Sequence, residues 1–390
     1  MMQSWSTISR PLVFLACVGL LSACAGSGPT DTPDEPLPAG QDATNSQEDV
    51  WQDIDQLKAR ALLGDPVAQT DLGYAYDNGV GVAPDGQAAV YWYKKAAEQG
   101  FAIANFNLGT LYLGGRHVAQ DYAQAAIYFQ SAAAGNHATA QLELGRMYRY
   151  GVLDGVDTDR AIKYFEASAS QGNAAAAANL GDMHFRGIGF AKDEDKGKRM
   201  LFDAAERGAA YAQFLVAQMY FSGEHVEKDI DESNRWLVLS AEKGSPVGQS
   251  ALAWAILQED QTALGYQSAY YWAEKAASAS IVDAIYLMGV IYESETFEGY
   301  DPQRALEWFL RAARAGDVAA QYWVSTYFVD GKAGEPDLVE GLAWASIALD
   351  AGNDKAASVV HRYSSRLGAD DRQRLFDRIE ALRNQLPAPQ

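Results

Sequence analysis

Beyond Cys24 the sequence contains no cysteine, and only Cys17 precedes it. That absence excludes a disulfide framework, a thiol nucleophile and a cysteine metal site from everything downstream. Histidine is scarce too, with five in the chain: His117, His137, His184, His225 and His361. None forms a His-Glu-x-x-His pair, so no metal site is expected. Basic residues number 31 against 51 acidic ones, for a net charge of −20. Such a chain repels phosphate backbones, which excludes general nucleic-acid binding. A P-loop, a dinucleotide fingerprint and a nucleophile elbow are all missing. The stretch from Asp154 to Asp159 lacks calcium-loop spacing, and Asp193-Glu194-Asp195 reads as a helix start. Neither an enzyme nor a cofactor is expected.

Long apolar runs are missing as well. Leu12 to Ala23 is the one sustained run, too short for a membrane span and suited to a signal-peptide core. It ends Leu21-Ser22-Ala23-Cys24, which resembles the lipobox of bacterial lipoproteins. By that resemblance residues 1–23 are removed and Cys24 becomes a lipidated first residue. Ala25 follows it where an inner-membrane address would have Asp, which implies the outer membrane, facing the periplasm. Several acyl chains give a stable anchor, since each buried methylene contributes about 0.8 kcal/mol. Residues 24–47 are rich in Gly, Pro, Ser, Thr and Asp and read as a disordered tether.

What the sequence does have is a repeat. The pair Leu72-Gly73 recurs as Leu108-Gly109, Leu144-Gly145 and Leu180-Gly181. Further steps of 36 give Val216-Ala217, Leu252-Ala253, Met288-Gly289 and Val324-Ser325, with no insertion or deletion. Small residues stand four before this anchor (Ala68, Ala104, Ala140) and aromatics four after it (Tyr76, Tyr112, Tyr148). Those offsets place an apolar stripe on one helical face, helix A. Glycine follows at Gly79, Gly115, Gly151, Gly187, Gly223 and Gly331, where a turn needs positive φ. Glu259 and Glu295 replace it in two repeats, so those turns should differ.

Asp85, Asp121, Asp157, Asp193, Asp229, Asp301 and Asp337 come next, and only Gly265 breaks the column. Aspartate just before an apolar stripe is an N-cap, here of helix B. In helix B the column Trp92, Tyr128, Tyr164, Met200, Trp236, Trp272, Trp308 and Trp344 is expected to fill the gap between repeats. Gly100, Asn136, Gly172, Gly208, Gly244, Ser280, Gly316 and Gly352 end it. No single helix pair buries its apolar face alone, so stacking must supply the core.

These columns closely resemble the Sel-one-like repeat (SLR), a relative of the tetratricopeptide repeat. The first repeat reads LGYAYDNGVGVAPDGQAAVYWYKKAAEQG, and the resemblance spans eight repeats over residues 65–352. It implies an all-α fold, a right-handed superhelical solenoid. Residues 48–64 are expected to form an N-terminal capping helix. Residues 353–390 are expected to form a partial ninth repeat and a capping helix that shields the last apolar face. A secreted branch of the family carries a cysteine pair per repeat, and this chain lacks it, so that branch's activity is not carried over.

In such solenoids helix A lines the concave groove. The resemblance places Tyr74, Phe106, Arg146, Arg149, Phe185, Phe214, Gln218, Phe221, Trp254, Tyr286, Glu293 and Tyr322 there. Tyr74, Arg146 and Arg149 stand out, because other repeats have dissimilar residues in their places. The function implied is a scaffold at the cell envelope that binds a protein partner, as in lipoproteins that assemble exopolysaccharide export complexes. Direct binding of a glycan or peptidoglycan by an aromatic groove is the alternative.

Overall fold

The computed structural model describes residues 54–387. The expected signal segment, Cys24, the tether and the first residues of the capping helix lie outside the described residues. Among the described residues the chain forms nineteen α-helices and no strand. None of those helices is long and apolar enough to cross a membrane. The chain divides into two compact halves, one ending at Val216 and one beginning at Ala217.

In the N-terminal half α1 (Ile54–Leu62) precedes four A–B pairs. These are α2 (Pro66–Asn78) with α3 (Gly86–Ala97), α4 (Ala102–Gly114) with α5 (Tyr122–Ala134), α6 (Ala138–Arg149) with α7 (Thr158–Ser170), and α8 (Ala174–Arg186) with α9 (Glu194–Glu206). Helix α10 (Ala210–Ser222) contains the division. The C-terminal half continues with α11 (Ile230–Glu242), α12 (Pro246–Glu259), α13 (Ala263–Ser278), α14 (Val282–Glu293), α15 (Pro302–Arg314), α16 (Val318–Asp330) and α17 (Leu338–Asp350). It closes with α18 (Asp354–Tyr363), a 3-10 turn, and α19 (Ala369–Gln385).

The aspartate column does what its position implies. All seven carboxylates accept first-turn N–H bonds of a B helix, each contributing about 1 kcal/mol. Each of these residues also donates its own N–H to the carbonyl of the helix A residue at the aromatic position, as Asp85 does to Tyr76 and Asp337 to Phe328, both at 2.9 Å. The turn is thereby pinned at both ends. The six turn glycines adopt φ of 66–74°, the left-handed region. Where Glu259 and Glu295 replace them, helices α12 and α14 end instead in extended caps at Asp260 and Ser294. With Gly265 in the cap column, Thr262 takes over as N-cap and α13 lengthens to 16 residues.

The packing between A and B helices differs from the sequence expectation by one residue. The column from Trp92 to Trp308 is half-buried and lies beside the gap it was expected to fill. The next column fills it: Tyr93, Phe129, Phe165 and Phe309 are all fully buried. Each ring lies in the notch of an anchor glycine. A Cβ added at Gly73, Gly109, Gly145 or Gly289 would stand only 2.5–2.7 Å from the ring of Tyr93, Phe129, Phe165 or Phe309. Glycine is required there by close approach rather than by φ.

In five repeats a glutamine ties the preceding B-type helix to the A helix after it. Gln69, Gln141, Gln213, Gln249 and Gln321 donate Nε2–H to the carbonyls of Ala61, Ala133, Ala205, Ala241 and Ala313, at 3.0–3.5 Å. Each of these helix-end carbonyls also accepts a backbone N–H of its own turn, so the glutamine supplies a second donor from the next helix.

The ends are unequal. Helix α1 packs on α2 in the manner of a B helix, and α18 occupies the A position of a ninth repeat. Helix α19 does not pair with α18 as a B helix would. It runs along α17, where Leu382 is buried with Trp344 and Ile347. The final helix therefore covers the B face of the eighth repeat rather than the open face of α18, and the exposed His361 stands at the anchor-glycine position of that face.

Candidate interaction surface

The +5 position of α6 meets the −1 and +2 positions of α8. In the N-terminal half this brings Arg149 of α6 onto Asn179 and Asp182 of α8. Arg149 Nη1 donates to Asn179 Oδ1 at 2.8 Å, and Nη2 forms an ion pair with Asp182. Arg186 Nε reaches the other oxygen of Asp182 at 2.5 Å. The hydroxyl of Tyr211 completes the set, donating to Asp182 at 3.3 Å. Burial first, then the Asp182 charge, raises the Tyr211 pKa well above the phenol range, so this hydroxyl stays a donor. Burial disfavours the charge on Arg149, but Tyr150, Tyr211 and Asp182 outweigh it and its pKa is raised.

Two further closed sets lie in the same half. Arg146 and Glu143 form a buried ion pair at 2.8 Å. The buried Asp77 of α2 accepts from Arg116 at 2.6 Å and faces the His117 ring at 2.7 Å. Glu143–Arg146 is an i,i+3 pair within one helix, but the sequence carries no signal for Arg149–Asp182 and Asp77–Arg116, which join residues of different repeats.

The twelve expected groove residues separate accordingly. Phe106, Phe214 and Trp254 are buried. Arg146 and Arg149 are enclosed in ion pairs, with side chains 8% exposed. These five hold helices together and offer no face to a ligand. Tyr74, Phe185, Gln218, Phe221, Tyr286, Glu293 and Tyr322 remain half-exposed. In the C-terminal half Trp254 stacks on Tyr286 at 6.1 Å, and the Tyr286 hydroxyl accepts from Trp323 at 3.0 Å. Trp323 has Phe309 stacked against it at 5.6 Å and Lys332 over its ring at 5.1 Å, with Lys332 bonded to Glu293 at 2.6 Å. This aromatic row is braced by its neighbours and leaves no Trp323 face open for stacking a sugar ring.

Phe106 is itself stacked on His137, 4.5 Å away, and His137 caps α6 by accepting Ala140 N–H at Nδ1. The cap requires an unprotonated Nδ1. Burial lowers the His137 pKa. The unfolded chain therefore takes up the proton first. The stability from this cap is complete above the ordinary imidazole range and is lost as pH falls through it. His137→Asn, which keeps a cap without a titratable group, is expected to flatten that part of the acid loss. The check is the wild-type-minus-variant difference in Tm between about pH 7.5 and about pH 5.

Eight consecutive segments match the Sel1 repeat pattern: residues 66–101, 102–137, 138–173, 174–208, 210–245, 247–280, 282–317 and 318–353. The chain belongs to the Sel1 repeat family. Among solved Sel1-type structures, c5321, a protective antigen of uropathogenic Escherichia coli with an SLR fold, is 28% identical, with a TM-score of 0.58. The likeness covers 84% of this chain and 71% of that one. A Sel1 repeat protein of Oxalobacter formigenes is 27% identical over 88% of this chain and 99% of its own, with a TM-score of 0.46. The alginate biosynthesis protein AlgK of Pseudomonas syringae pv. tomato is 30% identical over 93 residues, 24% of this chain. That match spans only 20% of AlgK. Sel1 repeats generally mediate protein–protein interactions and are typically non-enzymatic. Among the described residues no three His, Cys, Asp or Glu side chains come together in a group that could hold a metal ion.

Proposed function

We propose that this Sel1 repeat protein is an envelope-anchored scaffold that binds a protein partner through the half-exposed side chains of its A helices. The observation that carries the reading is the closed ion-pair and aromatic bracing beneath that face. Arg149, Asp182 and Trp323 fix neighbouring A helices to one another, so the half-exposed residues above them are held in place before any partner arrives. Preorganisation of this kind lowers the ordering cost of binding. The partial likeness to AlgK supports a complex that handles an exopolysaccharide. The Leu21-Ser22-Ala23-Cys24 sequence supports lipidation at Cys24 and an outer-membrane, periplasm-facing address.

The test is a crosslinked pull-down from cell envelopes with wild type and a Tyr74/Phe185→Ala variant, which leaves the bracing contacts in place. A protein captured by wild type and lost from the variant is the expected result. Capture of a glycan alone, retained by the purified repeat domain, would overturn the scaffold in favour of direct carbohydrate binding. A second prediction concerns the anchor. Cys24→Ala is expected to move the protein from the membrane to the soluble fraction on envelope fractionation, and unchanged membrane retention would remove Cys24 as the anchor.

A further inference from the structure

The way α19 seats on α17 shows what a B-helix face of this chain accepts. Helix α19 presents Leu375, Arg378, Ile379 and Leu382 at helical spacing on one face. Arg378 reaches Glu340 with two bonds, at 2.6 and 2.8 Å, and Trp344 Nε1 donates to the same carboxylate at 2.8 Å. Arg383 pairs with Asp350 at 2.5 Å. Beneath α19, Trp344 is 1% and Ile347 7% exposed. The seat is thus a row along α17: glutamate, tryptophan, aliphatic, acid.

One other B helix repeats that row in register. Helix α11 has Glu232, Trp236, Leu239 and Glu242 at the positions of Glu340, Trp344, Ile347 and Asp350. The remaining repeats break it. The seventh has Arg304, Arg311 and Arg314 around Trp308, and the sixth has Lys275 beside Trp272, charges that repel the arginines of such a helix. On α11 the row is uncovered: Leu239 is 42% exposed, and the adjoining Val238 38%. The Trp236 indole N–H is buried without a hydrogen-bond partner, whereas its counterpart Trp344 has the glutamate, so Glu232 is not held by the tryptophan of its own helix as Glu340 is. Glu232 carries only an exposed ion pair with Arg235 on its own helix, which a partner arginine displaces at little cost.

We infer that α11 is a docking site for an amphipathic helix of a partner protein, one that carries arginines about a turn apart around a leucine, as α19 does. This surface lies on a B helix and is separate from the A-helix face assigned above, so the two stand or fall independently. Its apolar strip supplies the affinity, and its two carboxylates select for arginine.

A synthetic peptide of residues 369–387 with a fluorophore serves as the probe, titrated into the full chain and read by fluorescence anisotropy. Binding to wild type and to Glu340→Arg is expected, with at least a tenfold loss in Glu232→Arg/Leu239→Asp. A peptide with Arg378→Glu should recover binding to Glu232→Arg, which a misfolded variant would not permit. Three results would overturn the inference: no binding, equal affinity for the double variant, or loss confined to Glu340→Arg, which would mean exchange with the chain's own α19. Concentration-dependent dimerisation abolished by the double variant would reassign the occupant from a partner protein to a second copy.

Discussion

Asp182→Ala is expected to destabilise the N-terminal half by about 3–5 kcal/mol, because it strands Arg149 in a buried site. Asp182 is the acceptor for Arg149, Arg186 and Tyr211 at once. Arg186 is a third exposed and can turn to water, but Arg149 cannot. The loss should appear as raised hydrogen exchange in α6 and α8, since repeat arrays open locally. The paired substitution Arg149→Met/Asp182→Leu removes both charges and is expected to recover most of the loss, as buried ion pairs replaced by apolar groups often do. If Asp182→Ala unfolds like wild type in urea, the network contributes nothing beyond what water supplies.

The second large effect belongs to the notch. Phe165→Ala opens a cavity against Gly145 and is expected to cost about 3–5 kcal/mol. Gly145→Val drives a branched side chain into a ring that already stands 2.5 Å from the Cβ position, and overpacking is expected to cost about 1–3 kcal/mol. The pair is complementary in size, so Gly145→Ala/Phe165→Leu should cost far less than the sum of its single changes. The sequence already contains that combination, as Ala217 with Leu237. Denaturant midpoints of the four chains close the cycle. Additivity would mean that ring and notch do not sense each other.

The repeat period, the helix pairing, the aspartate caps and the turn glycines were legible because each is a local requirement that recurs in most or all of the eight repeats. What fills the notch was not. Trp92 and Tyr93 are adjacent on one helix, about 100° apart, and both fall within a wide apolar face, so periodicity does not choose between them. The covariation of Gly73, Gly109 and Gly145 with Tyr93, Phe129 and Phe165 was the available signal. The groove residues were harder still. Arg146 and Arg149 stand out as unlike their column, which suits a ligand contact and a buried ion pair equally well. Only the meeting of Arg149 with Asp182, from the next repeat, decides between them.

The open face of α18 bears on how long such a molecule can be. At every other anchor the second residue is glycine, alanine or serine, and at Gly73, Gly109, Gly145 and Gly289 even a methyl would collide with the ring opposite. At the ninth anchor it is His361. An imidazole in that position excludes the helix that would extend the stack, whether from this chain or from another molecule. The array therefore carries its own stop signal. A ring packed as Tyr93, Phe129, Phe165 and Phe309 are would meet that imidazole, so the residue works against extension by the same packing that builds the array.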